Sequence, residues 1–352
     1  MFHLHGQEMD RSFGNIEQPD TSGNVFNNVK ASGIVHKMDS WTLEENYSRT
    51  EKYQLDTATI NFHAYYPFLK KSFSNSYLGF LGAPYESNLF FERDETDNNL
   101  FLRHLSAYHL SSNEVAYYNT TTPYANLKYY EGNQRKMQDF EAFFTRNIDS
   151  LTNFGFRFNV INNISQYNAQ EANHKNLLFF VSRNTGRYNG YLHFINRNNS
   201  LMNNGGISAE SINVQAKSFD LGTNLPSGLS SDNKSMAFFT SHEYLMGQLP
   251  FLQQAKPDTT ITVDSTAIHD FVPAYSVQYT AEFNTYKHFI EESSVNQLFF
   301  DTTFMNTRSN TDSSFFNVFK HAFHLKAFEN PDRKFTFGKR AYIENELVRA
   351  VH

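Results

Sequence analysis

Residues 138–161 read Gln-Asp-Phe-Glu-Ala-Phe-Phe-Thr-Arg-Asn-Ile-Asp-Ser-Leu-Thr-Asn-Phe-Gly-Phe-Arg-Phe-Asn-Val-Ile. Phe154, Phe156, Phe158 and Val160 share one parity, while Gly155, Arg157 and Asn159 share the other. Upstream, Phe140, Ala142 and Phe144 alternate with Asp139, Glu141, Phe143 and Thr145. Successive side chains of a strand point to opposite faces, so each run has an apolar and a polar face. Asp149-Ser150-Leu151-Thr152 between them is short enough to close an antiparallel pair. Such a hairpin either packs its apolar face on a soluble core or turns it to lipid, with its polar side in a water-filled lumen.

The composition is unusual in the same direction. The chain carries 36 Phe and 20 Tyr, yet its mean hydropathy is −0.56 and only 19% of residues are charged. Its polar remainder is dominated by Asn, Ser and Thr. Phe and Tyr favour strands and, in membranes, the interfacial belts. No run of about 18 apolar residues occurs, which excludes a transmembrane helix. The most apolar run, Leu177-Leu178-Phe179-Phe180-Val181, is only strand length. A strand-built membrane protein gives the same low average hydropathy, because each strand is half apolar.

The net charge of −6 comes with no basic block, which argues against nucleic acid as a partner. With no Cys, disulfides, thiol catalysis and thiolate metal sites fall away together. Among the 14 His there is no His-Glu-x-x-His, and His321 and His324 point to opposite faces of a strand. Gly205-Gly206 lacks the context of a nucleotide-binding loop, and no nucleophile elbow is present. The expectation is a chain without catalytic residues, metal or cofactor, and not an enzyme.

Residues 1–50 are polar and rich in Gly, Asn and Asp, and read as a loosely ordered extension. Residues 51–352 read as one β-domain. Its first part, 51–123, holds a strand at Asp56–Phe62 and an irregular Gly/Pro/aromatic segment; 124–352 carries antiparallel strands in series. The Tyr65–Tyr85 segment reads as a packed loop or as a piece folded into a lumen or against a barrel end. Connections run short, long, short, long: a turn at 149–152, a polar loop over 162–175, a tight turn at 184–187 and a long loop through Asn203-Asn204-Gly205-Gly206. Outer-membrane barrels, with short periplasmic turns and longer outside loops, are built this way. Further on, Tyr275, Val277, Tyr279, Ala281 and Phe283 alternate with Ser276, Gln278, Thr280, Glu282 and Asn284. Phe315–Phe328 and Phe335–Val348 are further candidate strands, and Asp258–Asp264 is strand or extended loop.

Phe62-His63-Ala64-Tyr65 with Pro67, and Tyr77-Leu78-Gly79-Phe80-Leu81-Gly82-Ala83-Pro84-Tyr85-Glu86-Ser87, resemble the β-barrel porins of Bacteroidetes-type Gram-negative outer membranes. Phe80 stands where that family has a polar residue, usually Asn. The resemblance continues through Tyr117-Tyr118-Asn119-Thr120-Thr121-Thr122-Pro123-Tyr124, Asn204-Gly205-Gly206-Ile207 and the Asp/Thr-rich stretch before Tyr275, and spans roughly residues 50–340. Two departures stand out: there is no signal peptide, and His352 arrives without a terminal aromatic strand. Members of the family also tend to be longer, so the expectation is a partial chain.

The resemblance implies an all-β antiparallel transmembrane barrel of the outer-membrane type, incomplete if the chain is partial. It implies passive diffusion of small solutes or ions through a polar lumen. Candidate lumen residues are Asp139, Glu141, Thr145, Arg157, Asn159, Gln278, Thr280, Glu282 and Asn284. Candidate lipid-facing residues are Phe140, Phe144, Phe154, Phe156, Phe158, Tyr279 and Phe283. The expected partners are outer-membrane lipid and small solutes or ions, with self-association allowed. The competing reading is a secreted or surface β-sandwich that binds carbohydrate or protein through Asn/Tyr-rich loops. On the polar parity, Asn at Gly155 is expected to be far milder than Arg at Phe156.

Overall fold

The structure is a computed structural model and describes residues 2–5, 38–43, 66–70, 72–93, 100–132, 136–211, 221–247, 273–292, 310–328 and 338–351. Five short strands come first: β1 (Phe2–His5), β2 (Met38–Trp41), β3 (Asn75–Tyr77), β4 (Tyr85–Ser87) and β5 (Tyr117–Thr120). Nine longer ones follow: β6 (Tyr124–Glu131), β7 (Gln138–Asn147), β8 (Thr152–Ile164), β9 (Glu171–Asn184), β10 (Tyr188–Asn203), β11 (Leu229–Met246), β12 (Tyr275–Glu292), β13 (Asn310–Ala327) and β14 (Lys339–Val351). β6 to β14 pair in sequence order, all antiparallel, and β1 adds to the outer edge of β6. The result is a ten-stranded sheet, open between β1 and β14 among the described residues. No described helix is long and apolar enough to cross a membrane. The fold is all-β and antiparallel.

The opening hairpin forms as its alternation dictates. Asn147 pairs with Asn153, and the Ile148 N–H donates to the Thr152 carbonyl at 2.9 Å. Asp149 closes the turn: its Oδ1 accepts the N–H groups of Leu151 and Thr152, both at 2.7 Å. The Leu151 N–H above all holds this exposed carboxyl below its ordinary pKa. A depressed folded-state pKa means the turn is supported above the ordinary Asp range and loses that support as pH falls through the depressed value. Hydrogen exchange should therefore show the protection factors of Leu151 and Thr152 dropping on acidification, and Asp149→Ala should remove that pH dependence. Unchanged protection in acid would dismiss the carboxylate as the turn's lock.

The expected long, polar 162–175 loop is a correction. β8 runs to Ile164 and β9 starts at Glu171, so the connection is only 165–170. Polar side chains on both faces imitate a loop there, but the ladder continues through Asn162↔Asn173 and Ile161↔His174. Strict short/long alternation also fails at 247–274, a long connection at the end where 148–151 and 185–187 are tight. Asp56–Phe62, the Phe62–Tyr65 motif and Asp258–Asp264 lie outside the described residues.

The two faces of the large sheet differ in kind. One is covered by residues 38–43 and the described part of 66–120, which fold as the two-stranded sheets β2–β5 and β3–β4 and as 3-10 turns. Two apolar clusters hold this cover to the sheet. Trp41, Val115 and Tyr117 pack with Phe143, Leu178, Phe180, Tyr191, Ile195 and Phe239; Phe68, Phe80, Leu81 and Tyr85 belong to the second, with Ile161, Ala172 and Leu201. Residues 66–70 and 72–85 of the Tyr65–Tyr85 segment thus lie on the sheet face. Phe80, 2% exposed, is part of that packing, which explains an aromatic at a position expected to be polar.

The other face is bare and aromatic, and its register carries a pattern invisible in one dimension. Phe144 pairs with Phe156, Phe156 with Phe179, Phe179 with Phe194, Phe194 with Phe238, Phe238 with Phe283 and Phe283 with Phe319. One phenylalanine from each strand from β7 to β13 therefore stands in a single row. The apolar band around this row drifts. On β8 it reaches past the row to Phe158 and Val160; on β12 Thr285 follows Phe283 on that side, and the band runs the other way through Ala281, Tyr279 and Val277. Between β8 and β12 the displacement averages roughly one residue per strand, with β11 an exception: there Thr240 and His242 follow Phe238 on the side where the β12 run continues. With a rise of about 3.3 Å per residue and strands about 4.8 Å apart, a level band then meets the strands at a tilt of roughly 35°. That is the tilt of strands in closed barrels.

Candidate functional site

The polar chemistry gathers on the covered face, where 107–114 bridges β6 to β9. Lys128 of β6, Glu141 of β7 and Arg157 of β8 reach one another because Lys128 pairs with Glu141 and Arg157 lies one register step away. Glu141 Oε1 accepts from Lys128 Nζ at 3.2 Å, and its Oε2 accepts from Arg157 Nη2 at 2.7 Å. One carboxylate is thus held between two cations. Glu141 keeps 18% of its side chain exposed, Lys128 31% and Arg157 43%, so the carboxylate is the least exposed of the three and Arg157 the most. Beside them Asn159 Nδ2 donates to Asp139 Oδ1 at 3.0 Å. These groups line a cavity of about 260 Å³, walled on its far side by Tyr108, His109, Leu110 and Glu114.

Strand side chains fix this cover to the sheet through backbone carbonyls. Asn163 donates to the Leu81 carbonyl at 3.0 Å, the His174 ring to that of Gly82 at 2.7 Å, and Asn176 to that of Tyr108 at 2.8 Å. Tyr117 and His193 hydrogen-bond at 2.9 Å, and Arg197 meets His109. Gly82 is required here. Its φ is +85°, and a Cβ would lie 2.8 Å from Ala172 Cβ and 3.2 Å from the His174 ring. The Leu-Gly-x-Leu-Gly segment is therefore a docking element that brings its backbone onto β9. Tyr108 stacks on His174 at 5.0 Å, and burial pushes its phenol well above the ordinary range, so it stays neutral.

A family model described as "putative porin" matches residues 37–349. The chain belongs to that porin family. Comparisons with curated proteins and with solved structures returned no match. The porin's family-like motif at 77–87 is thus the segment that seats its cover.

The predicted site residues fall on the two faces as follows. Asp139, Glu141, Thr145, Arg157, Asn159, Gln278, Thr280, Glu282 and Asn284 all share the covered face through the register. Only Asp139, Glu141, Arg157 and Asn159 come together at the cavity; Thr145 is not in its lining, and the β12 members lie on the far side of β9, β10 and β11. Asp139, Thr145, Gln278, Thr280 and Asn284 are buried, whereas Glu141, Arg157, Asn159 and Glu282 are half-buried. Thr145 donates to Asn153 Oδ1 at 2.9 Å and Gln278 to Ser241 Oγ at 2.9 Å, so these two serve packing. Phe140, Phe144, Phe154, Phe156, Phe158, Tyr279 and Phe283 all stand on the bare face.

The sequence reading missed Lys128, Tyr108, Glu114 and the buried histidines of β9 and β10. Lys128 alternates cleanly with Leu127 and Tyr129, a usable signal. The others depend on how 66–120 folds back, which no local pattern carries. Gly155 is a correction. A Cβ there would meet the Phe180 ring at 2.4 Å and the Phe144 carbonyl oxygen at 2.5 Å, so the position is packed, not permissive.

Proposed function

We propose that this porin is an outer-membrane protein of Gram-negative type, passing small solutes or ions by passive diffusion along the polar face of its sheet. The drifting aromatic band carries this reading. A soluble sheet has no reason to tilt its apolar zone by one residue per strand, whereas a strand crossing a flat bilayer at an angle does. β8 to β14 have 13 to 18 residues each, longer than the 9–11 a tilted strand needs to cross. A sandwich would lay a second sheet of comparable size on the covered face; among the described residues the cover is two two-stranded sheets and 3-10 turns. Among the described residues β1 and β14 are edges, and in lipid unpaired backbone groups find no water.

In this reading the Lys128–Glu141–Arg157 cluster is the charged constriction beside the path, and the cover narrows the β6–β11 side. Charges at close quarters set ion preference. Arg157→Glu should move the reversal potential in a salt gradient toward cation preference, while Lys128 still neutralises one carboxylate. An unchanged reversal potential removes Arg157 from the path. The membrane reading has its own test. The chain should fractionate with membranes and run as a heat-modifiable band; recovery in the soluble fraction without a heat shift contradicts it.

A further inference from the structure

On the bare face, the row of side chains four residues from the phenylalanine row reads Val160, Lys175, Asn198, Lys234, Lys287 and Phe315 on β8 to β13, through successive register pairs. Lys175 follows Leu177 and Lys234 follows Met236 on this face, so these two stand where the apolar band of their own strands ends; on β12 the band ends at Phe283, and Lys287 lies two same-face positions beyond it, after Thr285. Lys175, Lys234 and Lys287 are all exposed. Lys234 and Lys287 are direct cross-strand partners. Such partners have Cβ atoms about 4.5–5.5 Å apart, and like charges there repel.

Neither of these two has an ion pair among the described residues; Lys287 lies over the Phe315 ring at 5.4 Å. Asp232 is the nearest acidic residue on this face of β11, two positions farther out, and Glu171 and Glu291 lie beyond it on β9 and β12. The opposite border differs: Tyr188 pairs with Tyr244 there, Tyr275 ends the β12 run, and the cations Arg146 and Arg183 sit on non-adjacent strands.

We propose that the Lys175–Lys234–Lys287 row binds the phosphate groups of anionic lipid headgroups, in the leaflet at the end where 204–228 connects β10 to β11. The proposal rests on the membrane reading above. Long lysine stems lie along the apolar band while their ammonium groups reach the interface. A phosphate between Lys234 and Lys287 turns a repulsive pair into a bridged one, and basic residues at a bilayer surface are drawn to anionic lipid.

The test uses the full chain reconstituted in phosphatidylcholine vesicles with trace spin-labelled phosphatidylglycerol or phosphatidylcholine, comparing the motionally restricted fraction of each. Wild type should prefer phosphatidylglycerol at least threefold. The K175Q/K234Q/K287Q variant should lose that preference, the corresponding triple Arg variant should keep it, and millimolar inorganic phosphate should leave it intact. Restricted lipid in wild type without headgroup preference, or a preference the Gln variant retains, overturns this proposal alone. Competition by inorganic phosphate would point instead to a free-anion site and also overturns it. No restricted lipid of either kind overturns the membrane reading together with it.

Discussion

Replacing Phe156 with arginine should destabilise the protein in lipid by about 2–4 kcal/mol, the cost of a cation on the lipid face near the bilayer midplane. Phe156 is the β8 member of the phenylalanine row, flanked by Phe144 at a ring distance of 5.8 Å and Phe179 at 6.2 Å. In β8 the apolar run extends one side chain to Phe154 on one side and two to Val160 on the other, so an arginine here has far to reach for water. Equilibrium unfolding in urea from lipid vesicles measures the loss. The same substitution at Glu131, at the end of β6, should cost well under half as much. Equal costs at the two positions would place Phe156 outside the hydrocarbon.

Gly155→Asn should be nearly as damaging, for a different reason. Gly155 lies opposite Thr145, with the Phe180 ring of β9 laid over it. Phe180 is 1% exposed and stacks on Phe143 at 6.4 Å, so it has nowhere to go. Forcing extra atoms into a packed site typically costs about 1–3 kcal/mol. The loss should appear equally in detergent and in lipid, because it comes from packing on the covered face. The Phe156→Arg loss should shrink in detergent. A Gly155→Asn variant as stable as wild type would mean that Phe180 does not seal β8 to the cover.

These two neighbours show how far the sequence is legible. Parity alone separates Phe156 from Gly155, and on β7, β8 and β12 the residues of like parity share one face of the sheet. Strand existence was legible too, because period-two runs such as 275–284 have no competing helical reading. Parity does not say what lies against a face. Phe143 has the parity of Glu141 yet is buried among Tyr118, Tyr124 and Phe180. The cover that buries it folds back from residues 38–43 and 66–120, and its contacts with β9 and β10 are long-range. Gly155 looked permissive for the same reason.

The phenylalanine row was out of reach for another cause. Each member is one alternating residue in its own strand; only the register lines the seven up and reveals the drift. Register depends on connection lengths, and 162–175 misled there by presenting Asn and His on both faces of a continuing ladder. The charged cluster was half legible: Glu141 and Arg157 stood out on adjacent polar faces, whereas Lys128 was passed over.

The central claim is that the bare face meets lipid. The chain has no Cys, so single cysteines can be placed without background. Spin labels at positions 153, 154 and 156 to 160 of the reconstituted protein, probed with oxygen and with a water-soluble nickel chelate, test it directly. Positions 154, 156, 158 and 160 should show high oxygen and low nickel accessibility, and 153, 157 and 159 should not. Nickel accessibility at 154, 156 and 158 equal to that at 157 would contradict it.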